Sequence, residues 1–413
     1  MSEPNGRTAV ADRVPSAGDA LGEAMEVIRL LASEIGPRPS CSKAESEAAQ
    51  RLAAWLQRRG ADAHVEEFDG YTTFALPYGI LFGAALGGGI LQRSGRRPWR
   101  RGGDLVAAAA LATAAVEGDL RWTPLSDALS RRRSSNVVAH VPAAGPARRR
   151  VCLVGHLDST RSGLIFHPRV VRRLPLFVQV PAGSALALAA GPLLRRLPGA
   201  RVVNSAALTG LAFSLAVLLE RHVRGVDVPG ASDNASGAAV ALQLAAECAA
   251  APLPHTEIDV LVTGCEEAGI LGAQAYARRH RLRAGETTFV NFDTVGGDVP
   301  LTYIMREGTG AVTRPASPRL VKLLEEIAAR RPDLGLMPAD TTPGLPTDAT
   351  PMRARGWEAV TLLAQGDTVP HYHWPTDTYE NVAPAAIRRA LETGRELLQA
   401  LDAEARRSDD PHA

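Results

Sequence analysis

The feature that most constrains the fold is an alternation of strand-like and helix-like segments along most of the chain. Apolar runs of strand length occupy residues 136–142, 150–159, 257–264, 287–293 and 359–364. Apolar residues at helical spacing occupy about 236–250, 268–281, 317–330 and 384–403. Strands that alternate with helices predict a three-layer α/β/α fold, in which helices cover both faces of a mixed, mostly parallel sheet.

Two apolar regions interrupt this alternation. Residues 70–92 and 105–116 carry no charged side chain and flank "RSGRRPWRRGGD", and residues 174–194 and 202–219 flank "RRLPGAR" in the same way. Each pair predicts an apolar helical hairpin with an Arg-rich loop. Three of the runs approach the ~20 residues that span a bilayer, and their Gly and Ala content suits close helix packing in lipid. The alternative is a pair of soluble hairpins packed on each other as a cap.

Composition excludes several classes of protein. Hydrophobic residues make up 46% and charged residues 22% of the chain, as in ordinary globular proteins. Its 46 basic and 44 acidic residues give a net charge of +2, so we expect no nucleic-acid partner. The four cysteines form no C-x-x-C pair, so we expect neither a disulfide framework nor a thiolate zinc site. Residues 1–22 contain no apolar run, so we expect no secretory signal peptide.

Acidic and histidine side chains follow several of the predicted strands. In chain order they are His156, Asp158, Asp233, Glu266, Glu267, Asp293, His373 and Asp377. Ligands of open α/β sheets bind at the carboxyl ends of the strands, so we expect these side chains to meet there. Burying like charges together costs free energy, and a bound divalent metal offsets that cost because its positive charge neutralises them. Mixed oxygen and nitrogen donors suit zinc, a shared carboxylate can bridge two metals, and a carboxylate left off the metals can act as general base.

In combination these motifs resemble a known family. "GHLDS", "SDNASG", "EEAGILGAQAYA", "NFD" and the late His-x-x-x-Asp-Thr are similar to the co-catalytic zinc aminopeptidases of metallopeptidase family twenty-eight. Their relatives include glutamate carboxypeptidases and glutaminyl cyclases. The resemblance covers about 23–72 and 131–403. It implies the zinc-exopeptidase fold, which is phosphorylase/hydrolase-like, and a peptide substrate.

The pattern of charged and apolar residues also predicts how the chain is divided. A disordered lead would cover residues 1–22, and a single catalytic domain would cover 23–403. The two apolar hairpins would interrupt that domain at about 73–119 and 165–226, and a polar tail would cover 404–413.

Residue by residue, the resemblance implies a site for two zinc ions. Asp233 would bridge both metals, Glu267 and His373 would complete one site, and His156 and Asp293 would complete the other. Glu266 would be the general base for a metal-bound water that attacks the peptide carbonyl. Asp158 would set the tautomer of His156 through a hydrogen bond, and Asp377 would support the segment that carries His373.

The sequence departs from the family pattern in one segment. Some members carry a late tyrosine that stabilises the oxyanion and a histidine after the nearby aspartate, whereas Gly344 and Ala349 stand at those positions here. Tyr372 or Tyr303 could replace the missing donor. His371 competes with His373 for the metal, and the aspartate four residues after His373 favours the latter.

The predicted activity is therefore that of a zinc-dependent exopeptidase, specifically an aminopeptidase. Two alternatives stay open: a single-zinc acyltransferase similar to glutaminyl cyclases, and a non-enzymatic membrane or receptor-type relative. The intact "DNASG" and "EEAGILG" favour the peptidase, and the complete ligand set disfavours the non-enzymatic relative. The hairpins predict membrane association, with a cytoplasmic protein as the alternative. Side-chain preference and oligomeric state stay open.

Overall fold

A computed structural model describes residues 17–280, 282, 285–309, 312–340 and 345–407. The strands are β1 (Asp62–Gly70), β2 (Arg132–Val141), β3 (Arg149–His156), β4 (Thr256–Thr263), β5 (Thr287–Asp293), β6 (Leu301–Ile304), β7 (Arg306–Gly308), β8 (Thr313–Pro315), β9 (Met337–Ala339) and β10 (Glu358–Ala364).

The helices are α1 (Ala17–Arg29), α2 (Lys43–Gln57), α3 (Ala75–Leu91), α4 (Arg97–Asp119), α5 (Pro124–Leu129), α6 (Leu174–Ala189), α7 (Gly191–Leu194), α8 (Ala200–Arg224), α9 (Gly237–Ala250), α10 (Glu266–Gly269), α11 (Leu271–Arg279), α12 (Pro318–Arg330), α13 (Ala349–Ala354) and α14 (Pro384–Arg407). A π-helical turn, Leu30–Ile35, continues α1.

Within the described residues, eight strands form one mixed sheet in the order β1-β2-β4-β3-β5-β10-β6-β9. The central strands β4, β3, β5 and β10 are parallel to one another. Antiparallel pairs attach β2 and β1 at one side and β6 at the other. The long central strands coincide with the runs predicted from apolar content, and their carboxyl ends meet at one edge of the sheet.

Helices cover both faces of this sheet. Leu153 of β3 belongs to the larger buried cluster, to which α1, α2, α9, α12 and α14 contribute. The next residue, Val154, belongs to the smaller cluster with residues of α11 and α13. Successive side chains of a strand point to opposite faces, so two separate cores are the expected result. The predicted three-layer α/β/α fold is confirmed.

The structure corrects some predicted boundaries. Helix α1 begins at Ala17, inside the lead predicted to be disordered to residue 22, because Ala20 and Ala24 are buried in its packing. Helix α14 continues to Arg407, beyond the predicted end at 403, and buries Ala405. The rest of the predicted lead and tail, 1–16 and 408–413, lies outside the described residues. Strands β6 to β9 were not predicted, because runs of three or four residues show no clear alternation.

The long helices α3, α4, α6 and α8 occupy the intervals predicted for the apolar hairpins, and we call them the helical bundle. The interior of the bundle is built mainly from small residues, with Ala85, Ala107 and Ala207 buried beside Leu188 and Leu211. Helices α3 and α4 approach so closely that a Cβ on Gly88 would lie 2.9 Å from main-chain atoms of α4. Among the described helices, α8 alone is long and apolar enough to cross a membrane, and α3 is a shorter apolar helix.

Two adjacent glycines of α3 test this packing. Gly88→Ala should lower the free energy of unfolding by about 1–3 kcal/mol, because the added methyl group has no space against α4. Gly87→Ala is the matched control: a Cβ there meets nothing within 4 Å, and the better helix propensity should stabilise by about 1 kcal/mol or less. Denaturant titrations of the full-length variants in one detergent measure both effects. Equal changes in the two variants would contradict the close α3–α4 contact.

Candidate metal centre

The parallel strands bring the predicted site residues to one edge of the sheet. Strand β3 ends at His156, strand β5 ends at Asp293, and strand β4, which lies beside β3, leads into Glu266 and Glu267 at the start of α10. Because β4, β3 and β5 are adjacent and parallel, their carboxyl ends place these side chains next to one another.

Asp233 lies at the centre of the arrangement. It forms one group with His156 and Asp293 and a second group with Glu267 and His373, and within each group the possible ligand atoms lie within 4.8 Å of one another. Its Oδ1 lies 3.2 Å from His156 Nε2, and its Oδ2 lies 3.1 Å from His373 Nε2. The two carboxylate oxygens therefore face two different histidines.

Hydrogen bonds hold Asp233 in an irregular turn, Ala231–Ser236, before α9. The peptide bond from Asp233 to Asn234 is cis. The two carboxylate oxygens of Asp377 accept the main-chain N–H groups of Ser232, at 2.7 Å, and Asp233, at 3.0 Å. Support of the His373 segment by Asp377 stays a prediction; the carboxylate of Asp377 holds the segment of Asp233, which is distant in sequence.

Asp158 positions the two glutamates. Its buried carboxylate accepts the N–H of Glu266 at 3.0 Å, the N–H of Glu267 at 3.2 Å and the hydroxyl of Ser40 at 2.7 Å. His156 Nδ1 lies 3.1 Å from the main-chain carbonyl oxygen of Asp158 and 3.6 Å from its Oδ1. The predicted hydrogen bond thus has the carbonyl as its acceptor. Since a carbonyl only accepts, Nδ1 carries the proton, and in the neutral ring Nε2 has a free lone pair towards Asp233.

Burial and mutual repulsion perturb the acidic groups. Burial raises the pKa of Glu266 and of Glu267 well above the usual range, and neighbouring carboxylates add to the shift. Burial also raises the pKa of Asp293 to about 6. Burial would raise the pKa of Asp233 too, but the two imidazoles that face its carboxylate, His156 and His373, outweigh burial and hold that pKa below its usual value. The centre therefore holds more negative charge than its two histidines can neutralise.

The residues present fit a divalent metal. Asp233 Oδ2, Glu267 Oε1 and His373 Nδ1 are buried and have no hydrogen-bond partner among the described residues. Buried polar atoms are normally paired, so the unpaired oxygens of two carboxylates that both face His373 Nε2 indicate a cation site. Burial lowers the pKa of His373, whereas at His156 the neighbouring carboxylates outweigh burial and raise the pKa well above its usual value. The nitrogen and oxygen donor set suits zinc.

The other predicted residues separate into two groups. Tyr372 lies at the centre: its ring stacks on His373 at 3.9 Å between centroids, and burial beside the carboxylates raises its pKa well above the usual value. Tyr303 is buried in the core among the helices of the larger cluster, so it does not replace the missing oxyanion donor. His371 is exposed and contacts Thr376 Oγ1 at 2.7 Å. Gly344 lies outside the described residues.

The sequence analysis missed several residues that organise the centre. Arg38 is completely buried, and its guanidinium donates to main-chain carbonyls of Leu31, Gly36, Leu157, Pro229 and Gly230. It thus joins the loop after β3 to the loop before Asp233. Arg38 lies in the turn "GPRPS", residues 36–40. The sequence does not predict its burial, because an arginine in a turn is normally solvated.

Asp348 is a second missed residue. It is 1% exposed and accepts a hydrogen bond from Thr263 Oγ1 at 2.6 Å, at the end of β4. Burial raises its pKa to about 7, and the charge of Asp293 adds to the shift. The segment from Gly344 to Ala349 stands out in the sequence only as a departure from the family pattern, although its Asp348 lies beside the centre.

The helical bundle reaches the centre at one end. The ring of Phe166, which precedes α6, lies 4.3 Å from the ring of His373 between centroids. Arg221 of α8 donates to Thr160 Oγ1 at 2.6 Å, in the loop that follows β3. Phe166 also packs with Leu174 of α6 and Val217 of α8 in a small buried cluster. The bundle is therefore packed directly against the segment that carries His373.

Comparisons with known proteins give a family match and a shared fold. Residues 209–398 match the model of Peptidase family M28, an interval that includes Asp233, Glu266, Glu267, Asp293 and His373 but not His156 or Asp158. No curated protein matches the sequence.

Among solved structures, a zinc aminopeptidase from Bacillus subtilis aligns with a TM-score of 0.54 and 16% identity over 92% of this chain and 95% of its own. A glutaminyl cyclase from Porphyromonas gingivalis aligns with a TM-score of 0.54 and 14% identity over 94% of this chain and 98% of its own. A Zn-dependent exopeptidase from Parabacteroides distasonis aligns with a TM-score of 0.52 and 14% identity over 94% of this chain and 99% of its own. At such identities the likeness shows the fold alone. The resemblance to metallopeptidase family twenty-eight that the motifs predicted is therefore confirmed by the family match and the shared fold.

Proposed function

We propose that this chain is a zinc-dependent aminopeptidase that holds two metal ions. The observation that carries the proposal is the position of Asp233 between two groups of donors, with one oxygen facing His156 and the other facing His373. Asp293 would complete the first site and Glu267 the second. A single shared carboxylate with a nitrogen donor on each side suits a pair of zinc ions.

When bound, the zinc ions would polarise the scissile carbonyl and lower the pKa of water. The chain supplies the proton transfer. Glu266 Oε2 lies 3.9 Å from His156 Nε2, beside the donor groups but outside both of them. This position suits a carboxylate that takes a proton from the attacking water and delivers it to the leaving amine. Asp158 holds the main chain of Glu266, which fixes its position for that transfer.

The relatives support hydrolysis of peptides and leave an alternative. The Bacillus subtilis protein is a zinc aminopeptidase, whereas the Porphyromonas gingivalis protein is a glutaminyl cyclase. A single-zinc cyclase would not need both histidines around Asp233. The presence of the first donor group, with His156 and Asp293, beside the group with Glu267 and His373 therefore favours the two-metal peptidase over the cyclase-like acyltransferase.

Metal content tests the second donor group. The purified wild-type chain should bind two zinc ions, and His373→Ala should bind one, because Asp233 and Glu267 alone do not complete a site. His371→Ala is the matched control: that exposed imidazole lies two residues away and belongs to neither donor group. Elemental analysis after dialysis measures the stoichiometry. Loss of zinc in the His371 variant with retention in the His373 variant would reverse the assignment.

Hydrolysis tests the role of Glu266. Glu266→Gln should lower kcat on aminoacyl amides by about 10²- to 10⁴-fold while zinc content is retained, because an amide cannot accept the proton. Glu47→Gln, at an exposed position of α2, should leave kcat unchanged. Equal turnover by wild type and Glu266→Gln would reject the mechanism. Cyclisation of N-terminal glutamine by a chain with a single zinc ion would favour the acyltransferase instead.

We also propose that the helical bundle is embedded in a membrane. Of the large apolar side chains that are exposed within the described residues, all but Trp122, Leu164 and Met337 lie in the intervals 73–119 and 165–226. The interior of the bundle is formed mainly by Ala and Gly with Leu188 and Leu211, so many of its large apolar residues point outwards. Water-soluble bundles bury large apolar residues, whereas small residues at the helix contacts are typical of packing in lipid.

The ends of the bundle suit a bilayer surface. Helix α8 has 25 residues and so extends about 37 Å, enough for a hydrocarbon core of about 30 Å. The α3–α4 and α6–α8 loops lie together at the end away from the metal centre, where Arg93 contacts Ser205 and Arg195 pairs with Asp104. Arginines in these loops would interact with lipid headgroups.

Extraction from membranes tests this proposal. The full-length chain should stay in the membrane pellet after a carbonate wash. Replacement of Leu186 and Phe213 together by Lys should release it, because each lysine near the centre of a bilayer helix costs about 2.5–3.5 kcal/mol. Met337→Lys, at an exposed apolar position outside the bundle, is the matched control and should not release it. Full release of the wild type into the soluble fraction would reject membrane insertion.

A further inference from the structure

Two cysteines lie together beside the metal centre. The Sγ atoms of Cys41, in the turn before α2, and Cys265, directly after β4, are 3.4 Å apart, although 224 residues separate them in sequence. A disulfide requires a sulfur separation of about 2.05 Å, so only a small further approach is needed. Cys265 is completely buried, and Cys41 is half-buried and so accessible to small molecules from solvent.

The backbones of both cysteines are held in unusual conformations. Cys41 has φ 61° and Cys265 has φ 52°, in the left-handed region that favours Gly, Asn or Asp. One carboxylate fixes both: Glu45 accepts the N–H of Cys41 at 2.8 Å and the N–H of Cys265 at 2.9 Å. Gly70 leaves the space for the pair, because a Cβ there would lie 3.1 Å from Cys265 Sγ and 3.4 Å from Cys41 Sγ. The chain therefore carries sulfur at two positions where the backbone favours other residues.

We propose that Cys41 and Cys265 form a reversible disulfide that displaces Glu266 and Glu267 from the metal centre. Cys265 directly precedes Glu266 in the chain. Cys41 directly follows Ser40, whose hydroxyl donates to Asp158, and Asp158 in turn accepts the N–H groups of both glutamates. A new bond between the two sulfurs pulls on both ends of this network, so the positions of both glutamates change with the redox state.

A peroxide is the oxidant, and the chemistry balances. The Cys41 sulfur attacks one oxygen of hydrogen peroxide, the O–O bond breaks, and Cys41 sulfenic acid and water form. The Cys265 sulfur then attacks the sulfur of Cys41, the S–S bond forms, the S–O bond breaks, and a second water leaves with the thiol proton. Two thiols are oxidised to one disulfide while one peroxide is reduced to water. A small dithiol reverses the reaction by thiol–disulfide exchange.

Disulfide mapping tests the bond itself. Full-length protein is treated with hydrogen peroxide, its thiols are blocked, and its peptides are analysed by mass spectrometry. A linked Cys41–Cys265 peptide should appear and should disappear with dithiothreitol, whereas Cys152 and Cys248, 0% and 7% exposed, should stay free thiols. Cys41→Ser should abolish the linked peptide, and Cys248→Ser should not. Absence of the linked peptide from oxidised wild type would overturn the proposal.

Zinc affinity and hydrolysis, measured on the same samples, test the consequence, and the second measurement rests on the proposed peptidase function. Oxidation should weaken zinc binding in competition with a chelator. It should also lower kcat about a hundredfold, the loss expected when a catalytic group moves by about 1 Å. Dithiothreitol should restore both, and peroxide should leave Cys41→Ser unaffected. A disulfide that changes neither quantity would overturn the switch. If even the reduced protein hydrolyses nothing, the peptidase function fails, while mapping and zinc titration still decide the switch.

Discussion

The burial of several carboxylates at one edge of the sheet is the constraint on which the rest of this structure depends. Asp158 is 0% exposed and Asp377 is 1% exposed. Each compensates its charge by accepting main-chain N–H groups, Asp158 from Glu266 and Glu267, and Asp377 from Ser232 and Asp233. The hydrogen bonds that make burial tolerable are therefore also the ones that place the proposed ligands and base.

A buried arginine completes this framework without entering the donor groups. The guanidinium of Arg38 donates to carbonyls of Leu157 and Pro229, which lie on the two loops that lead to Asp158 and Asp233. Burial lowers its pKa to about 10, and the charges of Asp158 and Asp377 partly offset that shift, so it stays cationic. The positive charge of Arg38 thus reduces the free-energy cost of burying Asp158 and Asp377, and its hydrogen bonds connect the two loops.

The bundle and the metal centre are structurally coupled. Phe166 packs on His373, and Arg221 of α8 bonds Thr160. Arg221 also lies over the ring of Phe74, at the start of α3, at 4.5 Å from its centroid. If the bundle lies in a bilayer, the metal centre would therefore lie close to the membrane surface. Movements of α8 would then displace the segment that carries His373. The insertions would then supply part of the wall of the site as well as an anchor.

The sequence by itself determined the order of the long strands and helices, the apolar hairpins and the candidate site residues His156, Asp233, Glu266, Glu267, Asp293 and His373. These were predictable because strand length, apolar periodicity and residues just after strands are local features, and parallel strands end at one edge. Only the tertiary structure decided three contacts: the partner of Asp377, the position of Arg38 and the pairing of Cys41 with Cys265. These contacts join residues 144, 119 and 224 positions apart, and no local pattern records which distant segment a side chain meets.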